Sequence, residues 1–274
     1  MALGVDAILG SLALEPVAPN CYRAGNVDAG HDVVFGGQLL AQSIVAGLAG
    51  HDGKTVKTLH TVFARGASPE APVDIAVDPM HAGRSLASSS VTISQGDRLC
   101  TRSIVLLSAD EPDVIRHADP PPALSPPNGD GDGSREWQVE IAGDVDVSDP
   151  DAVGPPQLDA WIRFEGAPDD SATGQALLAF ATDGFLIGTA MRPHPGVGQS
   201  QAHRTLSTGV LSHTLTFHEP CSAAQWLLLS HWSAYAGRGR SYGRANVFRS
   251  DGQLVASFVQ DAMIRARSGQ PGAL

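Results

Sequence analysis

The feature that most constrains this chain is a pattern read twice, with a stretch of different composition between the two copies. Residues 109–157 are rich in Pro, Asp and Gly, including Pro120-Pro121-Pro122 and Asn128-Gly129-Asp130-Gly131-Asp132-Gly133. Such a composition sustains little periodicity, so it predicts a long linker with one strand near residues 137–141. The linker divides the 274 residues into a module over 1–108 and a second over 158–274.

The two modules share an order of elements. In the first, a strand-like segment at 22–27 leads to an amphipathic helix opened by Gly36-Gly37, then to β-rich runs at 58–65, 73–78, 85–94 and 99–108. The second has a strand at 158–164, a long apolar helix within 172–191, and runs at 210–218, 226–235, 241–249 and 254–265. Gly83-Arg84-Ser85 and Gly239-Arg240-Ser241 open matching runs, and each run ends in a turn with Gly beside Asp (Gly96-Asp97 and Asp251-Gly252). A Gly beside an Asp between alternating runs is a hairpin signal. Strand, helix and several antiparallel strands, twice over, predict an α+β fold with each helix lying on a curved antiparallel sheet.

Composition narrows the function. Hydrophobic residues make up 42% and charged residues 17%, which suits a globular core. A formal net charge of -11 repels nucleic acid and anionic membranes, while leaving local arginines free to meet a small anion. No run approaches the roughly 20 apolar residues of a spanning helix. Residues 1–17 lack a basic leader region and carry Asp6 and Glu15, so they do not read as a signal peptide. Val5, Ile8, Leu9 and Leu12 fall at the spacing of a short amphipathic helix. Cys21, Cys100 and Cys221 are odd in number and far apart, which predicts free thiols in a reducing cytoplasm.

Three motifs carry a family resemblance. His31-Asp32-Val33-Val34-Phe35-Gly36-Gly37-Gln38, Leu211-Ser212-His213-Thr214-Leu215-Thr216-Phe217-His218-Glu219-Pro220 and Gly252-Gln253-Leu254-Val255-Ala256-Ser257-Phe258-Val259-Gln260-Asp261 resemble TesB-like acyl-CoA thioesterases of type II. The resemblance covers nearly the whole chain apart from the linker. It implies a double hotdog, two modules each built of a helix wrapped by an antiparallel sheet. It also implies hydrolysis of fatty acyl-CoA by water, with acyl-CoA as partner and with no metal, cofactor or covalent intermediate. Assembly into a homo-oligomer is common in the family.

The resemblance also names the machinery: an Asp, a Thr or Ser, and a Gln. The Asp falls on Asp183, in Thr182-Asp183-Gly184, where it would orient a water and take its proton. Asp-Gly is equally a turn dipeptide at a helix break. The Gln falls on Gln260, which interrupts an apolar strand and would hold the water or the thioester oxygen; a solvent-facing strand position is the alternative. The Thr or Ser falls on Val210, which lines the substrate without a hydroxyl. Thr208 and Ser212, two positions either side, would face the same way in a regular strand and are the substitutes.

Gly36, Gly37 and Gln38 open a helix whose backbone N–H groups suit an oxyanion or phosphate, or else serve a tight turn. Arg240 belongs to the densest basic group, with Arg238, Arg244, Arg249, Arg265 and Arg267, and is the candidate for the CoA phosphates; solvated strand edges are the alternative. His60, His213 and His218 lie in β runs without a partner at metal or triad spacing and read as structural. A hydratase would need a different Asp/His pair at the active helix, and the Gly-x-Ser-x-Gly elbow of a serine hydrolase is absent. A non-catalytic acyl-CoA-binding protein is the other reading, and Val210 is its one supporting feature.

Overall fold

The computed structural model describes residues 3–30, 32–127, 133–143 and 145–267. His31 of the first motif and residues 128–132 of the linker lie outside the described residues. The first half holds α1 (Val5–Ser11), β1 (Glu15–Ala18), β2 (Cys21–Ala24), α2 (Gly36–Leu48), β3 (Thr55–Phe63), β4 (Val73–Ala82), β5 (Leu86–Gln95) and β6 (Arg98–Ser108). The second holds β7 (Trp137–Ile141), β8 (Gln157–Phe164), α3 (Ser171–Thr182), α4 (Leu186–Met191), β9 (Leu206–Phe217), β10 (Leu227–Gly237), β11 (Arg240–Arg249) and β12 (Leu254–Ala266).

All the strands join one 12-stranded sheet in the order β1-β2-β4-β5-β6-β3-β9-β12-β11-β10-β8-β7. Read from either edge inward, the order is the same, with β7 to β12 standing for β1 to β6. The halves meet where β3 pairs antiparallel with β9, from Thr58↔Thr216 to Val62↔Ser212. This is the α+β double hotdog that the repeated pattern and the resemblance imply.

Helices α2 and α3 pack against each other inside the curve of the sheet. Nearly every side of α2 is covered, including Leu39, Leu40, Ala41, Gln42, Ser43 and Ile44, and the same holds for α3 from Gly174 to Thr182. A helix buried all round needs no polar stripe, which is why both segments read as apolar rather than sharply amphipathic.

One expectation is corrected. The apolar stretch 172–191 is two helices, α3 and α4, broken at Asp183-Gly184-Phe185, with Asp183 as the C-terminal cap of α3. The strand expected near 137–141 is β7, which extends the sheet beyond β8, and Trp137 packs against the core. The Trp137 ring stacks on Phe164 at 5.8 Å and meets the edge of Phe180 at 5.5 Å, while Phe35 of the first half touches both Trp137 and Phe180.

Candidate active site

The break after α3 turns the Asp183 carboxylate toward the start of α2. Phe35 precedes α2 without a capping side chain, and Asp183 supplies one from the other module by accepting the Gly37 N–H. The approach is close. A methyl group at Gly36 would lie 2.7 Å from Asp183 Oδ2, and one at Gly37 would collide with the Phe180 carbonyl oxygen. The two glycines therefore serve the helix packing and the contact with Asp183, because only residues without a Cβ allow it.

Asp183 is half-buried as a residue, yet its Oδ1 is sealed from solvent and has no hydrogen-bond partner among the described residues. Burial pushes its carboxyl up to about 7, against the opposing pull of the Gly37 N–H. A carboxyl group held near neutrality is suited to take and return a proton.

Gln260 stands on the helix-facing side of β12, 2% exposed, opposite His213 on β9. Its Oε1 lies 3.2 Å from His213 Nδ1, and its Nε2 is buried without a partner among the described residues. His213 Nε2 lies 3.0 Å from Thr182 Oγ1, the hydroxyl next to Asp183 in the chain. Hydrogen bonds thus run from Gln260 through His213 to Thr182, the residue before Asp183 in the chain. A lone strand histidine has no motif in the sequence, and the contacts of His213 with Gln260 and Thr182 emerge only once β9 is paired with β12.

The hydroxyl substitutes separate. Ser212 pairs with Asp261 and Val210 with Ala262, so Leu211 is an extra residue in β9. Such a bulge reverses the alternation of the strand. Val210 consequently shares the Gln260 face, whereas Ser212 lies on the opposite face and donates to Asp261 Oδ2 at 3.2 Å. The expectation that Thr208, Val210 and Ser212 face alike is therefore corrected by one bulge. Thr208 is 8% exposed and opposite Ile264, four residues and about 13 Å along β12 from Gln260.

The remaining candidates are also located. Gln38 accepts the Val27 N–H at 2.9 Å and donates to Asn26 Oδ1 at 2.8 Å, so its amide anchors the chain before α2. Arg240 lies at the exposed β10–β11 turn and donates to the Gly239 carbonyl. The Arg265 side chain packs beside Gly239 at the same turn. Arg249 is paired with Asp251, and Arg244 stacks on Trp232. His60 and His218 hydrogen-bond Thr214 and Ser257 on the outer face. Among the described residues, no group of three or more His, Cys, Asp or Glu converges as a metal site, and no helix is long and apolar enough to cross a membrane.

Two surface clefts, of about 410 and 630 Å3, lie elsewhere and are not lined by Asp183 or Gln260. In the larger cleft Lys57 donates to the Phe217 carbonyl, and Arg116 pairs with Asp113 and Glu219. The smaller is lined by Ser222 and Trp226, whose Oγ and Nε1 are buried without a partner among the described residues. The orphaned Asp183 Oδ1 and Gln260 Nε2 differ from these in belonging to the two residues that the resemblance singles out, and unpaired buried polar atoms are costly unless a ligand uses them.

The duplication shows what the other module has lost. By strand pairing, Gln260↔His213 corresponds to Val105↔Leu59, and alignment of Gly174-Gln175 with Gly37-Gln38 sets Ala46 against Asp183. All three counterparts are buried and apolar, and Val105 lies so close to Gly47 that a methyl group there would sit 2.9 Å from it.

Residues 23–108 match the acyl-CoA thioesterase N-terminal domain, and residues 116–264 match the acyl-CoA thioesterase C-terminal domain. Acyl-coenzyme A thioesterase 8 of Homo sapiens is 25% identical over 289 residues, covering 93% of this chain and 88% of that protein. Acyl-CoA thioesterase 2 of Haemophilus influenzae is 24% identical over 278 residues, covering 93% and 95%. The crystal structure of an acyl-CoA thioesterase II, TesB2, from Mycobacterium marinum superposes with a TM-score of 0.79 at 27% identity, covering 97% of this chain and 99% of that one.

Proposed function

This chain belongs to the acyl-CoA thioesterase family, and from that premise we propose that it hydrolyses fatty acyl-CoA to a fatty acid and CoA with water activated by Asp183 and Gln260. The observation that carries this reading is the sealed, unpartnered Asp183 Oδ1, on a carboxyl pushed up to about 7. As the carboxylate, Asp183 accepts a proton from the water that attacks the thioester carbonyl carbon. Gln260, hydrogen-bonded through His213 to the neighbouring Thr182, holds the water or the carbonyl oxygen. When the tetrahedral adduct collapses, the C–S bond breaks and the proton on Asp183 passes to the CoA sulfur.

Arg240, with Arg238 and Arg265 near the same turn, is the group we assign to the anionic part of CoA. Arg265 lies five residues along β12 from Gln260, about 16 Å at strand rise, which suits a substrate whose phosphates are remote from its thioester. The three free thiols support a reducing, cytoplasmic setting for this step of fatty acid metabolism.

The test is CoA release from a C4 to C18 acyl-CoA series, comparing wild type with Asp183→Asn. Turnover at some chain length, abolished by the substitution, supports hydrolysis. Val210 favours a second reading, a protein that binds acyl-CoA and cleaves it poorly. Tight binding without turnover in wild type would replace the hydrolase reading with that one.

A further inference from the structure

We infer that His213 is a positioning residue, whose ring, held as one neutral tautomer between Thr182 and Gln260, decides which end of the Gln260 amide faces the reacting water. The inference rests on the hydrolase reading above and adds to it the group that orients Gln260.

An amide has two unlike ends. If His213 Nδ1 carries the proton, it donates to Gln260 Oε1 and the Gln260 NH2 is left to face the substrate. If Nδ1 carries a lone pair, it accepts from the NH2, and the amide oxygen faces the substrate instead. A neutral imidazole has one donor and one acceptor nitrogen, so the choice at Nδ1 also fixes what Nε2 does.

The amide, as it stands, points to the first arrangement. Gln260 Oε1 is the atom at the ring, 3.2 Å from Nδ1, and Nε2 of the amide is the orphan among the described residues. The Thr182 hydroxyl, 3.0 Å from His213 Nε2, donates to the Ala179 carbonyl at 2.8 Å, so this arrangement requires its single proton to turn to the ring. The ring is fully buried and stacks at 5.3 Å and 24° on Phe258, so it has little room to turn. Burial also drives its pKa down to about 4, which keeps it neutral near pH 7. An amide held with its NH2 forward can donate to the water oxygen or to the thioester carbonyl oxygen, beside a carboxylate that can only accept. The water thereby meets one donor and one acceptor.

Two measurements test this. Nitrogen-15 NMR of the wild-type protein reads the tautomer directly: a protonated Nδ1 and a bare Nε2 at His213 are expected, and the opposite pattern overturns the assignment. Kinetics of His213→Phe, Gln260→Ala and the double variant then ask whether the ring acts through the amide. His213→Phe keeps an aromatic ring beside Phe258, and its kcat is expected to fall roughly 10- to 100-fold with KM within about threefold. In the Gln260→Ala background the same change should cost less than about twofold. Equal losses in both backgrounds would make His213 merely structural and overturn the inference. A wild type without turnover at any chain length would instead sink the hydrolase reading, and the NMR result would still decide how Gln260 is held.

Discussion

Val210 and Ala262 face each other across β9 and β12, on the side of the sheet that carries Gln260 and two residues further along. A hydroxyl at this position would lie on the Gln260 face, whereas Ser212, beyond the bulge at Leu211, lies on the opposite one. Val210→Thr is therefore expected to raise kcat roughly tenfold, the inverse of losing one hydrogen bond to the reacting group. Ser212→Ala should leave kcat within about twofold. The CoA-release assay compares the two variants directly.

Asp183→Asn should separate activity from stability. Loss of the base is expected to lower kcat roughly 100- to 10,000-fold. The same change should stabilise the fold above pH 7, because the carboxyl is raised from 3.8 to about 7 and carries a buried charge there. In the unfolded chain that group ionises from about pH 4, so its contribution to stability is full below that pH and lost as pH rises through about 7. The loss is at most roughly 4 kcal/mol. Urea unfolding at pH 5 and pH 8 should show a small advantage of the variant at pH 5 and its full advantage at pH 8.

Acid should act in the opposite direction through His213 and His231. Burial lowers both rings from 6.5 to about 4. Their contribution is present above pH 6.5 and is lost as pH falls through about 4, when the buried rings must charge or the chain must open. Tm is expected to decline between pH 6.5 and 4, and His231→Phe should flatten that decline.

Gly37→Ala should destabilise the protein by roughly 2 kcal/mol or more, because the added methyl meets a backbone carbonyl that cannot swing aside. It should also lower kcat by disturbing the N–H that Asp183 accepts. Gly10→Ala is the control. That glycine lies in α1 with nothing near its missing methyl, so a gain of about 0.5–1 kcal/mol is expected in urea titrations.

Arg240→Glu should raise KM roughly tenfold at low ionic strength while leaving kcat within about twofold. The KM difference should shrink in high salt, as screening of an exposed charge requires.

Much of the fold was legible in the sequence because its signals are local. The Gly-Asp turns, the alternating runs and the Gly-Arg-Ser triplets at 83–85 and 239–241 all repeat within short windows. The pairing of β3 with β9 was not legible, since it joins residues 150 to 158 positions apart and no local pattern specifies it. Asp183 and Gln260 were reachable through the resemblance. The bulge at Leu211 was not, because an extra residue is defined only against a partner strand. The role of His213 was hidden for the same reason: its meaning depends on Gln260 across the ladder and on Thr182 at the end of a helix.

The apolar trio Ala46, Leu59 and Val105 has a consequence for how the protein should respond to rising substrate. With the proposed reacting groups in one module and apolar residues at their counterparts in the other, each chain is expected to offer a single reaction centre. A non-hydrolysable acyl-CoA thioether should accordingly saturate at one molecule per chain. Rate should climb with substrate along a simple hyperbola, as a centre without a twin in the same chain requires.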